Sequence, residues 1–109
     1  MNFTITLEPI DERHSRYVAR VDGLDGEAEL VFTRRGDHLI SADHTIAPEN
    51  LRGTGVAMAL VERLVDDARA EGFKIIPLCP YIRHKYLDHP DWADVMTVAP
   101  GEKPTIHIH

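Results

Sequence analysis

The hydrophobic pattern of this chain changes its period near Pro48, and this change limits the folds that the chain can adopt. Before Pro48, apolar and polar residues alternate in four short segments, as they do in strands with one buried face. After Pro48, apolar residues recur about every 3.6 residues, as they do in an amphipathic helix. Turn-forming residues at 22–26 and 35–37 separate the strand-like segments. The sequence therefore predicts an antiparallel meander of four strands followed by a helix.

Each predicted strand has one set of alternating residues that we expect to share a face. The four sets are Phe3, Ile5 and Leu7; Tyr17, Ala19 and Val21; Ala28, Leu30 and Phe32; and His38, Ile40, Ala42, His44 and Ile46. The helix stripe consists of Val56, Ala57, Leu60, Val61, Leu64, Val65 and Ala68. Gly72 supplies the expected end of this helix. An apolar fifth strand at 73–78 follows, and a second helix runs from Pro80 to about Asp88.

This order of elements predicts the fold class. We expect an α/β protein, more narrowly of the α+β class. Its mixed, mostly antiparallel sheet would begin with the N-terminal meander, and an α-β-α segment would follow in the chain. The length of 109 residues is typical of one domain, so we expect a single domain over 1–109. With 43% hydrophobic and 28% charged residues, the composition is that of an ordinary globular protein.

Charge and cysteine usage narrow the function classes. The net charge of −6 argues against a nucleic-acid partner, which would require a concentrated basic face. The apolar runs are short, which argues against a membrane partner, and the first residues lack the pattern of a signal peptide. A single cysteine, Cys79, fits a reducing compartment. We therefore expect a cytoplasmic protein in which any anionic ligand is bound by a local site.

Such a local site is predicted at 52–57, where the fourth strand gives way to the helix. The first turn of a helix has free backbone N–H groups and a positive dipole end, and both favour phosphate. Gly53 and Gly55 would let a ligand approach the backbone, while Arg52 would add a guanidinium at the rim. The alternative is that the two glycines only shape a turn. The position after a strand and before a strongly amphipathic helix favours a phosphate-binding loop.

Two other phosphate-binding loops do not fit these residues. A Walker-type loop ends in Gly-Lys-Ser/Thr, whereas here Val56 follows Gly55. A dinucleotide-binding fingerprint requires a glycine where this chain has Met58, and it follows the first strand of a parallel sheet. The sequence therefore predicts neither a nucleoside triphosphatase nor a dinucleotide-binding domain.

The run Arg52-Gly53-Thr54-Gly55-Val56-Ala57 resembles the R/Q-x-x-G-x-G/A pyrophosphate motif of the GCN5-related N-acetyltransferase superfamily. From Asp43 to Met96 the chain is similar to the minimal, single-domain members of that superfamily. The resemblance implies that the fourth and fifth strands splay apart and hold acetyl-CoA or CoA as co-substrate, with no metal. It also implies acetyl transfer to an amine acceptor of a small molecule or protein.

The resemblance implies the ligand-binding residues as well. They are Ile46, Leu51, Arg52, Gly53, Thr54, Gly55, Val56, Ala57, Cys79 and Tyr81. A basic cluster at 83–85 would meet the nucleotide 3′-phosphate or form a solvated helix face. Tyr81 and Tyr86 could each donate to the CoA thiolate, or their rings could pack in the core.

Two residues are predicted to be catalytic. His44 stands where many larger relatives keep a glutamate base, and an imidazole with a pKa near ~6.5 suits that role. It could equally be a core histidine with a hydrogen-bonded partner. Cys79 would line the ligand site, and it would be a nucleophile only if a base such as His44 activated it; otherwise it is packing material. The spacing of His107 and His109 would suit a metal, but a short strand or frayed tail is the favoured interpretation.

The sequence therefore favours an acetyl-CoA-dependent N-acetyltransferase whose amine acceptor it does not identify. Two alternatives remain open. One is a non-catalytic module that senses CoA or acyl-CoA, and it would keep the loop without needing His44 or Cys79. The other is an interaction domain without a ligand, and it would tolerate a bulky residue at Gly55.

Overall fold

The computed structural model describes residues 2–98. The strands are β1 (Phe3–Pro9), β2 (His14–Val21), β3 (Ala28–Gly36), β4 (Leu39–Ile46) and β5 (Lys74–Pro77), and the helices are α1 (Val56–Glu71) and α2 (Pro80–Asp88). Short 3-10 turns cover Glu49–Leu51 and Pro90–Asp94. The predicted order of strands and helices is confirmed. No helix in the described part of the chain is long and apolar enough to cross a membrane.

The five strands form one sheet in the order β1-β2-β3-β4-β5. The first four pair antiparallel, as the meander requires, and β5 pairs parallel with β4. Parallel neighbours need a crossover connection, and α1 supplies it between β4 and β5. The predicted mixed α+β sheet is therefore confirmed.

An irregularity in β4 changes which of its residues share a face. His44 pairs with Val31, but Ala42 pairs with the next residue, Phe32, so Asp43 is an extra residue in the ladder. An extra residue reverses the alternation beyond it. His44 and Ile46 therefore do not share the face of Ala42, and our prediction that they do is wrong. His38 precedes the strand and is exposed.

One face of the sheet packs against both helices. A single hydrophobic cluster contains sheet residues such as Tyr17, Leu30 and Ala42, together with the buried stripe of α1 and Ile82 of α2. The stripe residues are Val56, Leu60, Val61, Leu64, Val65 and Ala68. The Tyr17 hydroxyl also donates a 2.7 Å hydrogen bond to Asp67. This packing fixes the start of α1 beside the end of β4.

Candidate functional site

A cavity of about 650 Å³ lies where β4 ends and α1 begins. Its walls come from the end of β4, the loop before α1, the first turn of α1, and one side of α2. The lining residues are Thr45, Ile46, Ala47, Leu51, Arg52, Gly53, Gly55, Val56, Ala57, Met58, Tyr81 and Lys85. The cavity therefore includes most of the loop that the sequence singles out.

The cavity exists because β4 and β5 stop pairing. Their last paired residues are Ala42 and Pro77, although β4 continues to Ile46. The N–H groups of Leu78 and Cys79 then both donate to the carbonyl of Ala42, at 3.1 and 2.9 Å. These two bonds end the ladder and lead the chain into α2, which contributes Tyr81 and Lys85 to the cavity lining.

The loop before α1 has several backbone donors without a partner. The Thr54 hydroxyl donates to the Leu51 carbonyl at 2.6 Å and accepts the Val56 N–H at 3.2 Å. Within residues 2–98, four other N–H groups of this region have no protein acceptor. They belong to Gly53, Gly55, Ala57 and Met58, and all four of these residues line the cavity. Free amides at a helix start form a binding site for an anion.

Backbone geometry explains why glycine occupies two positions of the loop. Gly53 and Gly55 have φ angles of 83° and 86°, in the left-handed region. A residue with a side chain loses roughly 1–2 kcal/mol in that conformation. A Cβ at Gly55 would come no closer than 3.9 Å to its nearest neighbour, Phe3, so the conformation and not the space requires glycine.

Two cations line the cavity. The Arg52 guanidinium donates only a 3.4 Å bond to the Ala47 carbonyl, and Lys85 lies on α2 with its ammonium 5.5 Å from the centre of the Tyr81 ring. Neither forms an ion pair with another residue of the described chain, whereas Arg16 and Arg69 do. In a protein of net charge −6, two free cations beside free amides favour an anionic ligand.

The part of the cavity beside Thr45 has a different chemistry from that of the glycine loop, the segment 52–57. Thr45 lines it, and Cys79 lies behind Thr45, buried at 2% exposure with its Sγ donating to Thr45 Oγ1 at 3.5 Å. Burial, with a smaller effect from Cys79, raises the pKa of Tyr81 above its ordinary value. The phenol therefore keeps its proton at neutral pH and can donate a hydrogen bond.

Most residues predicted to bind the ligand line this cavity, but two do not line it directly. Thr54 uses its hydroxyl to shape the loop and is not part of the wall, and ligand binding by Thr54 stays a prediction. Cys79 reaches the wall only through Thr45. The sequence analysis missed Thr45, Ala47 and Met58. The free N–H of the first helical turn was a usable signal for Met58, whereas the other two depend on where β4 and β5 separate.

His44 and Cys79 are not brought together. His44 is exposed and does not line the cavity, and the side-chain hydrogen bond of Cys79 goes to Thr45. The bulge at Asp43 is the physical reason, because it turns His44 away from the face that Ala42 and Thr45 share. Direct activation of Cys79 by His44 does not fit this geometry. A base role for His44 toward an amine stays a prediction.

The other candidate residues have different surroundings. Tyr86 is buried in the core, and burial raises its pKa. Arg83 and His84 are exposed and lie outside the cavity wall. Over residues 2–98, no group of three or more His, Cys, Asp or Glu side chains could hold a metal ion. His107 and His109 lie outside the described residues.

A free helix start with two glycines and an arginine, beside a gap between parallel strands, is typical of sites that bind phosphate groups. A family model described as GCN5-related N-acetyl-transferase matches residues 16–95. The chain therefore belongs to the GCN5-related N-acetyltransferase family. This membership supports an acetyltransferase activity.

Vertebrate NATD1 proteins are similar in sequence to most of the chain. Human NATD1 is 28% identical over 80 residues, which are 73% of this chain and 71% of that protein. NATD1 of Gallus gallus is 26% identical over 80 residues, 73% of each chain.

Two solved structures share the fold. A GCN5-like protein from Staphylococcus aureus superposes with a TM-score of 0.63 at 22% identity, covering 92% of this chain and 95% of its own. The ribosomal-protein-alanine N-acetyltransferase of Brucella melitensis biovar Abortus 2308 has a TM-score of 0.57 at 23% identity, covering 89% and 71%. At these identities the likeness extends to the fold alone.

Proposed function

We propose that this protein transfers an acetyl group from acetyl-CoA to an amine, and that the cavity between β4 and α2 holds the acetyl-CoA. The observation that carries the proposal is the set of four free N–H groups at Gly53, Gly55, Ala57 and Met58. A pyrophosphate has enough acceptor oxygens to take several such donors, and the Arg52 guanidinium adds a charge-assisted bond.

The chemistry of the two ends of the cavity supports one orientation of the ligand. The glycine loop supplies amides and a cation, which suit the pyrophosphate. The end near Thr45, Cys79 and Tyr81 has a hydroxyl, a thiol and a phenol, which suit an uncharged thioester. The acetyl group would therefore lie where β4 and β5 separate.

Acetyl transfer needs a proton acceptor and a proton donor. The amine nitrogen bonds to the acyl carbon as the carbon–sulfur bond breaks, a base takes the ammonium proton, and the departing thiolate takes a proton. Tyr81 is our candidate donor, because it lines the cavity and its phenol is protonated at neutral pH. His44 is the candidate base only for an amine that arrives from its exposed side of β4.

Cys79 has a supporting role in this proposal. Its thiol donates to Thr45, and no base side chain forms a hydrogen bond with it within residues 2–98. A nucleophilic cysteine needs its thiolate, which requires a nearby cation or base. We therefore expect Cys79→Ala to keep most of the turnover. Loss of turnover in Cys79→Ala, with acetyl-cysteine detected in the wild type by mass spectrometry, would favour a covalent intermediate instead.

Binding is the first test. Calorimetry and thermal unfolding should be run in parallel with acetyl-CoA, CoA and ATP, where ATP controls for general phosphate affinity. A ligand present at about 100 times its Kd stabilises the fold by about 2.7 kcal/mol. We expect this stabilisation with both CoA forms and little with ATP. If a folded sample binds neither CoA form at millimolar concentration, the proposal is wrong.

Turnover is the second test. Release of free CoA thiol should be followed with acetyl-CoA and a panel of amines that includes polyamines, lysine peptides and free peptide N-termini. Tyr81→Phe should lower kcat by roughly 100-fold, the usual lower range for one proton-transfer group. An unchanged kcat in Tyr81→Phe would remove Tyr81 from the chemistry.

A second candidate function is binding of CoA or acyl-CoA without turnover. The observation in its favour is that no histidine, aspartate or glutamate lines the cavity among the described residues. This alternative predicts tight acetyl-CoA binding with no thiol release for any amine, and wild-type affinity in His44→Gln. Amine-dependent thiol release would exclude it.

A further inference from the structure

A buried polar cluster lies on the face of the sheet opposite to that of Ala42. Thr33 of β3 and Ser41 of β4 are 7% and 0% exposed, and they pair across the two strands. Both hydroxyls donate to the carboxylate of Asp43, Ser41 to Oδ1 at 2.8 Å and Thr33 to Oδ2. The Ser41 hydroxyl in turn accepts a 2.8 Å hydrogen bond from Arg35 Nε. Asp43 therefore joins the side chains of the two strands.

Asp43 is the extra residue of β4, and it lies where both ladders of this strand change. His44 pairs with Val31 and Ala42 with Phe32, so Asp43 has no partner of its own in β3. Ala42 is also the last residue of β4 that pairs with β5. The carboxylate is therefore held at the residue where β4 shifts against β3 and leaves β5.

The bulge decides which side chain of β4 faces the cavity. Without an extra residue, His44 would pair with Leu30 and share the face of Ala42, as the alternation along β4 predicts. In the observed, bulged arrangement Thr45 pairs with Leu30 instead. Thr45 lines the cavity and accepts the hydrogen bond of Cys79, whereas His44 is exposed. A shift of one residue in the pairing would exchange these two side chains.

The hydrogen bonds of Asp43 favour the bulged arrangement. An extra residue disrupts the ladder locally, so a bulge persists where other contacts stabilise it. Without the bulge, Asp43 would lie opposite Val31 and diagonal to Thr33, at a spacing of about 7–8 Å that long side chains bridge. Aspartate and threonine are short, so their hydrogen bond belongs to the bulged arrangement. Hydrogen bonds donated to a carboxylate are also stronger than those between neutral groups.

We propose that Asp43 is a positioning residue of the site: its hydrogen bonds from Thr33 and Ser41 hold β4 in the bulged arrangement and so present Thr45, and not His44, to the cavity. The expected effect on acetyl transfer rests on the proposed function, whereas the effect on strand pairing does not. Asp43 contacts no ligand in this proposal.

Strand pairing is tested first, by nuclear Overhauser contacts between β3 and β4. Asp43→Ala removes the shared acceptor, and Thr33→Val removes one donor at nearly constant volume. In both variants we expect Leu30 to show cross-strand contacts with His44 instead of Thr45. If Asp43→Ala does not fold, Thr33→Val carries the test.

Two control variants should keep the wild-type pairing of Leu30 with Thr45. Thr33→Ser retains the hydroxyl that donates to Asp43. Asp37→Ala removes an exposed carboxylate from the turn before β4, where it lies 3.7 Å from Arg34 and outside the cluster.

Turnover and binding give the second readout. In Asp43→Ala and Thr33→Val, kcat of acetyl transfer should fall by about 10- to 100-fold, because a side chain beside the reacting group is misplaced. The Kd of acetyl-CoA should change by less than about threefold, since the glycine loop is a separate segment. Thr33→Ser should restore kcat.

Wild-type strand pairing in folded Asp43→Ala and Thr33→Val overturns the inference even if turnover falls, and it leaves the proposed function standing. Changed pairing with unchanged kcat overturns the positioning role as well. A wild-type protein that binds no acetyl-CoA overturns the proposed function, while the pairing experiment still decides whether Asp43 holds the bulge.

Discussion

Both ends of α1 have a left-handed glycine, but the backbone hydrogen bonding differs between them. Each end has a glycine in the left-handed conformation, Gly55 at φ 86° and Gly72 at φ 80°. At the C-terminal end, the N–H groups of Gly72 and Phe73 both donate to the Ala68 carbonyl, at 2.9 and 3.2 Å. At the N-terminal end, the corresponding donors face a cavity and have no protein acceptor within the described chain.

The charged side chains near the two ends of α1 differ as well. Arg69 in the last turn complements the negative end of the helix dipole and pairs with Asp94 at 2.9 Å. The first turn has no acidic residue to complement the positive end. The C-terminal end is therefore completed by the protein itself, whereas the N-terminal end is left for an anion. The difference indicates that a helix end is a binding site when its neighbours leave it unsatisfied, and glycine alone does not make it one.

The largest expected effect comes from placing a negative charge at the open end. Gly55→Glu puts a carboxylate beside the free amides and should weaken acetyl-CoA binding by at least about 100-fold, since charge-assisted hydrogen bonds are worth about 1.5–3 kcal/mol each. Gly72→Glu, at the closed end, should bind as the wild type does. Calorimetry on samples shown to be folded by circular dichroism checks both. Equal affinities in the two variants would contradict the comparison.

A smaller effect is expected from the cations of the two ends. Arg52→Ala should weaken CoA binding about tenfold, because it removes one charge-assisted bond to phosphate. Arg69→Ala should leave the affinity unchanged and lower thermal stability instead, since Arg69 bonds only with the protein. Titrations of both variants with CoA at one ionic strength distinguish these outcomes. If Arg52→Ala and Arg69→Ala lose CoA affinity equally, the loss in Arg52→Ala comes from a change in the fold and not from a lost contact with phosphate.

Replacing the left-handed glycine at either end of α1 should lower the stability of the protein by the same amount. A Cβ at Gly55 would have Phe3 as its nearest neighbour at 3.9 Å, and one at Gly72 would meet nothing within 4 Å, so only the backbone conformation matters. Gly55→Ala and Gly72→Ala should therefore each destabilise the protein by about 1 kcal/mol. Urea unfolding without ligand measures both values. If Gly55→Ala is neutral, the loop does not hold the left-handed conformation and the comparison fails.

The smallest effect concerns pH. Hydrogen bonds from Arg69 lower the pKa of Asp94 at the closed end. A carboxylate with a lowered folded-state pKa stabilises the fold above its unfolded pKa and loses that contribution as the pH falls. The Tm difference between wild type and Arg69→Ala should thus be full at pH 7 and shrink below about pH 4. A difference that stays constant from pH 7 to pH 3 would assign it to packing of the Arg69 stem.

The sequence by itself determined the features that depend on neighbours in the chain. Hydrophobic period predicted five strands and two helices in the correct order, because a buried face must repeat with the geometry of its element. The glycines at 53, 55 and 72 predicted the loop and the helix end, because a positive φ is a local requirement. The cavity-lining positions of Arg52 and of the glycine loop followed from that local pattern.

Only the tertiary structure decided the features that depend on distant residues. The extra residue at Asp43 arises from pairing with β3, so the face of His44 was not visible in the alternation of β4 alone. The contact between Thr45 and Cys79 joins positions 34 residues apart. Lys85 differs from Arg83 and His84 only in which side of α2 packs beside the cavity. Strand pairing and helix packing are set by contacts across the whole fold, and no local pattern encodes them.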